Sequence, residues 1–249
     1  MRIILFAQRN FKEILRDPLN LFFGLGFPLV LLLLLSLINS SIPPEANNTM
    51  FAIENLAPGL AMFGSSFMAL FSGMLLAKDR NSSFLMRLYV SPMNSLDFIV
   101  GYTLPILLIT IFQSTITLLT SCILNLELSV YILFAIFITS LTSLLFVGFG
   151  LLFGSLLNEK AVGGICGALL TNLAGWFSGI FIPLDLVGGT FKAVSEVLPF
   201  YHSVQAIQTS LNGDFSKLLP HLGIVFGYTI AIFIFAIIVF HYKINHNKN

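Results

Sequence analysis

The sequence predicts an all-α integral membrane protein with six transmembrane helices and with both termini in the cytoplasm. Composition, the length of the apolar stretches and the placement of charged residues in the loops support this prediction. Of the 249 residues, 57% are hydrophobic and 9% are charged, whereas soluble domains carry about 25% charged residues. So few charges cannot cover a globule of this size, so lipid must surround most of it. The net charge of +1 offers no basic field for nucleic acid.

Six apolar stretches are long enough to cross a bilayer, because about 20 helical residues span its hydrocarbon core. They are residues 19–38, 57–77, 98–121, 130–157, 161–182 and 222–242. Helices are expected because lipid offers no hydrogen-bond partner to an open backbone. None of the six stretches contains Asp, Glu, Lys or Arg. A proton-coupled transporter needs such groups near the middle of the membrane, so this class of protein is disfavoured.

The charges in the loops predict the orientation. Of the 12 Lys and Arg residues, only Lys192 and Lys217 fall in the loops on one side of the six stretches. The other ten lie on the side that holds both termini. Because basic residues concentrate on the cytoplasmic side, the termini are predicted to be inside.

Residues 1–17 are predicted to form an amphipathic helix on the inner surface of the membrane. Its apolar positions recur every three or four residues, and its basic residues share another face: Ile4, Ala7, Phe11 and Ile14 against Arg2, Arg9, Lys12 and Arg16. Asp17 and Pro18 end it, because the residue before proline avoids the α conformation. The helix either anchors the first span in anionic lipid or provides a docking surface for a cytoplasmic partner.

The loop of residues 78–95, between spans two and three, is predicted to contain a short amphipathic helix. Ser82 or Ser83 can cap it, and Pro92 marks its limit. Its apolar face consists of Phe84, Leu85, Leu88 and Tyr89. Such a face either enters a groove on a cytoplasmic partner or lies on the membrane.

The chain resembles the membrane subunits of type-2 ATP-binding-cassette exporters over essentially its whole length. Their loop pattern of an acid and Arg, then Arg-Leu, then Ser-Pro is matched by Asp79, Arg80, Arg87, Leu88, Ser91 and Pro92, while Asn81, Ser83 and Phe84 depart from it. A second match runs from Ser178 to Leu184 and from Leu198 to Tyr201. The resemblance implies an ATPase-docking coupling helix with Asp79, Arg80, Phe84, Leu85, Arg87, Leu88 and Tyr89. It also implies an external gate with Phe181, Pro183, Leu198, Pro199, Phe200 and Tyr201.

Residues 183–221 are predicted to form short external helices before span six. Apolar residues recur at helical spacing, and Asn212-Gly213 is a plausible helix end. Without the resemblance, a pair of surface helices that closes the bundle explains the pattern equally well.

Two spans carry residues that could line a path for substrate. Gln113 and Thr117 share one face of span three, and Trp176 and Phe177 lie on the outer half of span five. A buried Gln needs a hydrogen-bond partner, so pairing with a neighbouring helix competes with substrate binding. Small residues of span five allow close packing between helices: Gly164, Ala168, Gly175 and Gly179.

The leading hypothesis for function is the permease subunit of an ATP-driven exporter. By resemblance, a second membrane subunit, identical or related, and two copies of a cytoplasmic ATPase complete the complex, and that ATPase binds ATP and Mg. This chain lacks the Gly-rich phosphate loop G-x-x-x-x-G-K-[ST], and it lacks metal-ligand spacing, so catalytic residues and a metal site are not expected on it. The expected location is the bacterial cytoplasmic membrane.

An uncharged, Phe-rich interior favours a hydrophobic or amphipathic cargo, such as drug-like or lipid-like molecules or peptides. Two alternatives remain. One is export of polysaccharide or teichoic-acid-type cargo, which would favour more Tyr and Trp than the 6 Tyr and 1 Trp present. The other is a membrane assembly factor or sensor that transports nothing.

Overall fold

The computed structural model describes residues 2–43, 51–82, 84 and 93–246, and every regular element among them is a helix. Two π-helical turns, Phe22–Gly26 and Gly163–Leu170, join α2 to α3 and α8 to α9. The α-helices are α1 Arg2–Leu15, α2 Pro18–Leu21, α3 Phe27–Ser41, α4 Ile53–Ser66, α5 Met68–Asn81, α6 Ser95–Ile123, α7 Tyr131–Leu156, α8 Glu159–Val162, α9 Thr171–Phe177, α10 Leu184–Val187, α11 Gly189–Val197, α12 Pro199–Leu211 and α13 Phe215–His246.

Five of the described helices are long and apolar enough to cross a membrane. They are Pro18–Ser41, Ile53–Asn81, Leu96–Ile123, Tyr131–Leu156 and Phe215–Tyr242, which correspond to predicted spans one, two, three, four and six. A multi-pass, all-helical membrane protein is thereby confirmed. Predicted span five, residues 161–182, is helical only as far as Phe177 and is not among the five. The helical part of this stretch stops before Ser178, and its helix begins with the charged residues Glu159 and Lys160.

The second span lies at the centre of the bundle. It runs through α4 and α5 with a single break at Phe67. In its apolar 18-residue stretch, 94% of the residues are buried. Helix α5 continues to Asn81, so the first four residues of the predicted loop 78–95 belong to this span. Lys78 and Arg80 favour that extension, because cations stabilise the negative end of a helix.

Helices α5 and α7 pack backbone against backbone. A Cβ atom added at Gly154 would lie 2.5 Å from the carbonyl oxygen of Gly73, and one at Gly150 would overlap Ser72. Only glycine permits so close an approach, which is a common device for joining helices in lipid.

The bundle has two ends, which ring contacts between neighbouring helices identify. Phe98 at the start of α6 lies 5.8 Å from Phe240 near the end of α13, whereas Tyr131 at the start of α7 lies 6.1 Å from Phe215 at the start of α13. We call the end that holds Phe98 and α1 the inner end, and the opposite one the outer end.

Candidate functional site at the inner end of the bundle

The N-terminal helix docks on α6 through a hydrogen bond that a proline makes possible. Pro105 lies inside α6 and has no backbone N–H, so the carbonyl group of Gly101, four residues earlier, loses its helical partner. The side-chain amide of Asn10 donates to that carbonyl oxygen at 3.0 Å. Asn10 is fully buried, and a Cβ atom at Gly101 would overlap the ring of Phe6. The pairing therefore fixes α1 at one position along α6.

A buried carboxylate lies beside this contact. Asp79, near the end of α5, is 1% exposed, and its Oδ2 accepts from Arg9 Nη1 at 2.5 Å and from the Tyr102 hydroxyl at 2.9 Å. A buried charge is tolerated only when it is paired and hydrogen-bonded. Asp79 therefore joins α1, the second span and the third span at one point.

Phe84, the described residue of the predicted coupling helix, packs against the N-terminal helix. Its ring stacks on Phe6 with centroids 6.3 Å apart, and the guanidinium carbon of Arg9 lies 4.2 Å from the Phe84 centroid. Both contacts are attractive, the second through the negative face of the ring. The other predicted docking residues after Asp79 and Arg80 lie outside the described residues: Leu85, Arg87, Leu88 and Tyr89.

Arg80 ties the same region to the fourth span. Its guanidinium donates to the carbonyl oxygen of Ser155 and, at 2.6 Å, to that of Leu157. These carbonyls lie at the C-terminal end of α7, where a helix leaves acceptors without intrahelical donors and favours a cation. Asp79 and Arg80 thus direct their side chains into this chain, and their predicted contact with an ATPase stays a prediction.

An ion pair between Lys78 and Glu13 lies on the surface beside these contacts. Lys78 Nζ donates to Glu13 Oε1 at 2.6 Å. The hydrogen bond from Lys78 lowers the pKa of the Glu13 carboxyl, against a smaller opposing effect of burial. This pair adds a second, weaker link between α1 and the second span.

The contacts described so far form one connected set. It consists of Arg9, Asn10, Asp79, Arg80, Tyr102 and the ring of Phe84, and we call this set the inner junction. Among the described residues no group of three His, Cys, Asp or Glu could hold a metal ion. The arrangement joins α1, α5, α6 and α7 next to Ser82.

The predicted path residues of the third span are enclosed within the bundle. Gln113 is 1% exposed, and its Nε2 donates to Thr117 Oγ1 at 3.2 Å. A Cβ atom at Gly64 would overlap the Gln113 amide, which places this side chain against α4. Gln113 Oε1 has no hydrogen-bond partner among the described residues. The hydrogen bond to Thr117 lies within α6, so pairing with a neighbouring helix and a role in binding substrate both stay predictions.

Trp176 and Phe177 have different surroundings. Trp176 is 46% exposed on the surface of this chain, whereas Phe177 stacks on Phe191 of α11 at 5.1 Å. Phe177 therefore joins the fifth predicted span to an outer helix, and Trp176 remains open to lipid or to a partner.

The predicted gate residues lie within or beside helices α10 to α12. Phe181 packs edge-on against Phe63 at 5.2 Å, and Phe200 stacks on Phe146 at 6.0 Å. Three others shape the backbone: Pro183 precedes α10, Leu198 precedes α12 and Pro199 begins it. Tyr201 lies 6.1 Å from the ring of His221. The gating role of these residues stays a prediction.

The small residues of the fifth predicted span divide between two surroundings. A Cβ atom at Gly164 would meet nothing within 4 Å, and Ala168 is exposed. A Cβ atom at Gly175 would lie 2.8 Å from the Phe181 ring, and Gly179 adopts a φ of +88°. The π-helical turn between Gly163 and Leu170 changes the angular spacing of the side chains, so the four residues do not form one stripe within this chain.

Sequence reasoning missed several residues of the inner junction. Asn10 lies in the predicted amphipathic helix, and Gly101 and Tyr102 lie in the predicted span 98–121, but none of the three was singled out. One signal was available: Pro105 inside a span implies an unpaired carbonyl at Gly101. At the outer end it also missed the hydrogen bond of 2.8 Å between the Nδ1 atoms of His202 and His221, for which no sequence signal existed.

Comparison with known families gives one match. The sequence profile of the family described as "ABC-2 type transporter" matches residues 1–212. Among proteins of curated function, none matches the chain significantly. The matched range includes every residue of the inner junction and the outer helices up to the end of α12.

Proposed function

Since the chain belongs to the ABC-2 type transporter family, we propose that it is the permease subunit of an ATP-driven exporter whose ATPase is a separate protein. The family makes the chain a transport subunit of a membrane complex with an ATP-binding-cassette ATPase. The separate ATPase, its two copies with bound ATP and Mg, and a bacterial cytoplasmic membrane are parts of the proposal.

The inner junction is the observation that supports this function best. Asp79 and Arg80 lie directly before the segment at 82–92, and they bind α1, the third span and the inner end of the fourth. An ATPase that binds this segment and moves it would therefore displace several spans together. Such a linkage lets an external free energy bias the bundle between two states.

A sixth crossing, at about residues 161–182, is also part of the proposal. Helix α7 ends at the inner end, where Arg80 holds Leu157. Gln208 of α12 donates to Asn55 at the start of α4 at 2.8 Å, which supports a position at the outer end for the C-terminal part of α12. The intervening residues must therefore return from one end to the other. This supports six spans with both termini on the inner side.

A second membrane subunit is supported by the exposed face of the fifth predicted span. Gly164, Ala168, Asn172 and Trp176 recur every four residues, and all four are exposed. An amide such as that of Asn172 is unfavourable against lipid hydrocarbon, whereas a facing helix could approach over the small residues. We therefore place this face against an identical or related subunit, with Trp176 next to the path of substrate.

The proposed cargo is a hydrophobic or amphipathic small molecule. No acidic or basic side chain lies within residues 98–121 or 161–182, so a strongly charged cargo would find no counter-ion there. Burial of apolar surface is what this interior offers.

Purification of the chain from its native membrane tests the proposed function. We expect a co-purifying ATPase with vanadate-sensitive turnover, and its loss in Leu88→Asp. The matched control is Leu186→Asp at the outer end, where Leu186 is 84% exposed, and it should retain the ATPase. Absence of any ATPase from the unmodified chain in several mild detergents would contradict the proposal.

A further inference from the structure

An apolar groove of about 780 Å³ runs between the N-terminal helix and α6. Ile4 and Phe11 form its wall on α1, and Leu104, Pro105 and Leu108 form its wall on α6. Its volume lies within the usual range of ligand sites, about 300–1,000 Å³. The groove is separate from the inner junction, which uses another face of α1.

The groove follows from how α1 docks. Phe6 and Asn10 point into the bundle and are buried, which leaves the adjoining apolar face of α1 without protein cover. Ile4 is 59% exposed and Leu108 is 58% exposed. Apolar residues this exposed on an interfacial helix are covered by lipid chains in a membrane.

One cation lies on the wall of this groove. Lys12 belongs to the groove lining, and within the described part of the chain its ammonium has no ion pair or side-chain hydrogen bond. Arg9 on the same helix is bound to Asp79, and Lys78 is bound to Glu13. A lysine stem that covers apolar surface carries its ammonium to the polar boundary, so Lys12 offers a positive charge beside the apolar groove.

We propose that this groove binds one anionic phospholipid of the inner leaflet. An acyl chain lies against Phe11, Leu104 and Leu108, and the phosphate of the head group pairs with the Lys12 ammonium. Apolar walls and an adjacent cation, without an ion pair among the described residues, match the two parts of such a lipid. The site needs neither cargo nor ATPase, so it stands apart from the proposed function.

Quenching of a single tryptophan by brominated lipid tests the site in reconstituted vesicles. Leu108→Trp in a Trp176→Phe chain places the only indole in the groove. The matched control is Ile230→Trp in the same background, since Ile230 is also 58% exposed and lies about as far from the Phe98–Phe240 contact. We compare brominated phosphatidylglycerol with brominated phosphatidylcholine in mixtures with the unbrominated lipids.

At position 108 we expect phosphatidylglycerol to bind roughly fivefold more tightly than phosphatidylcholine, the effect of one lysine near an anionic head group. Position 230 should show no such preference. Lys12→Gln should abolish the preference at 108, whereas Arg16→Gln, one residue beyond the end of α1, should leave it in place.

Three results would overturn the proposal. An equal preference at 108 and 230, or an equal loss with Arg16→Gln, would indicate general attraction of anionic lipid to a basic surface. Equal quenching by both lipids at 108 would indicate ordinary lipid contact. No quenching at 108, with normal quenching at 230, would mean that protein covers the groove.

Discussion

The hydrogen bond from Asn10 to the Gly101 carbonyl predicts the effect of Asn10→Ala on docking of the N-terminal helix. The substitution leaves a buried carbonyl without a donor, because Pro105 cannot supply one. An unsatisfied buried acceptor costs about 1–3 kcal/mol, and every 1.4 kcal/mol is a factor of ten. Exchange of amide hydrogens in α1, which reports its local opening, should therefore accelerate roughly 5- to 140-fold.

Pro105→Ala and Gln8→Ala are the control variants for this effect. Pro105→Ala restores a backbone N–H that can donate to the Gly101 carbonyl, so Asn10→Ala should then cost much less than it does beside proline. Gln8→Ala, on an exposed position of the same helix, should leave exchange nearly unchanged in both backgrounds. An equal cost of Asn10→Ala with proline and with alanine at 105 would refute the orphan-carbonyl explanation, since a double-mutant cycle isolates that coupling.

Three further predictions concern packing and charge. Asp79→Asn should destabilise the chain in detergent by about 1.5–3 kcal/mol, because the hydrogen bonds from Arg9 and Tyr102 then lose their charged acceptor, and adding Arg9→Gln should recover part of that loss in a thermal unfolding assay. Gly154→Leu should prevent folding, since even a Cβ atom there meets a carbonyl 2.5 Å away, whereas Gly163→Leu should be tolerated; size-exclusion profiles distinguish them. Glu13→Gln should speed α1 exchange less than about fivefold near neutral pH. That difference should vanish as pH falls below the Glu13 pKa, which lies under its usual 4.5, because a lowered pKa confers stability only while the carboxyl is ionised.

The helical framework was accessible from sequence because its signals are local. The spacing of apolar residues predicted an N-terminal helix over residues 1–17, and the structure has one at Arg2–Leu15. The Asp17-Pro18 boundary was also correct, with Asp17 capping the next helix through the Asn20 backbone N–H at 3.1 Å. Length and hydropathy found five spans that the structure also supports.

The inner junction was not accessible in the same way, because its partners are far apart in the chain. Asp79 was identified by resemblance as a docking residue, yet it meets Arg9, 70 residues away, and Arg80 meets carbonyls 75 and 77 residues away. No periodicity encodes such pairs. The predicted fifth span differs for another reason: its helix ends at Phe177, and its π-helical turn breaks the regular spacing on which a stripe of small residues depends.

The burial of the second span has a consequence for how the protein responds to its membrane. A bilayer that becomes thicker or thinner acts on helices that touch lipid, which tilt or shift to match it. The second span touches almost none, since other helices surround it along nearly its whole length. The segment that follows Asn81 is therefore attached to the described helix that bilayer thickness reaches least. We expect coupling through this segment to be unaffected by lipid chain length, even where the surrounding spans adjust.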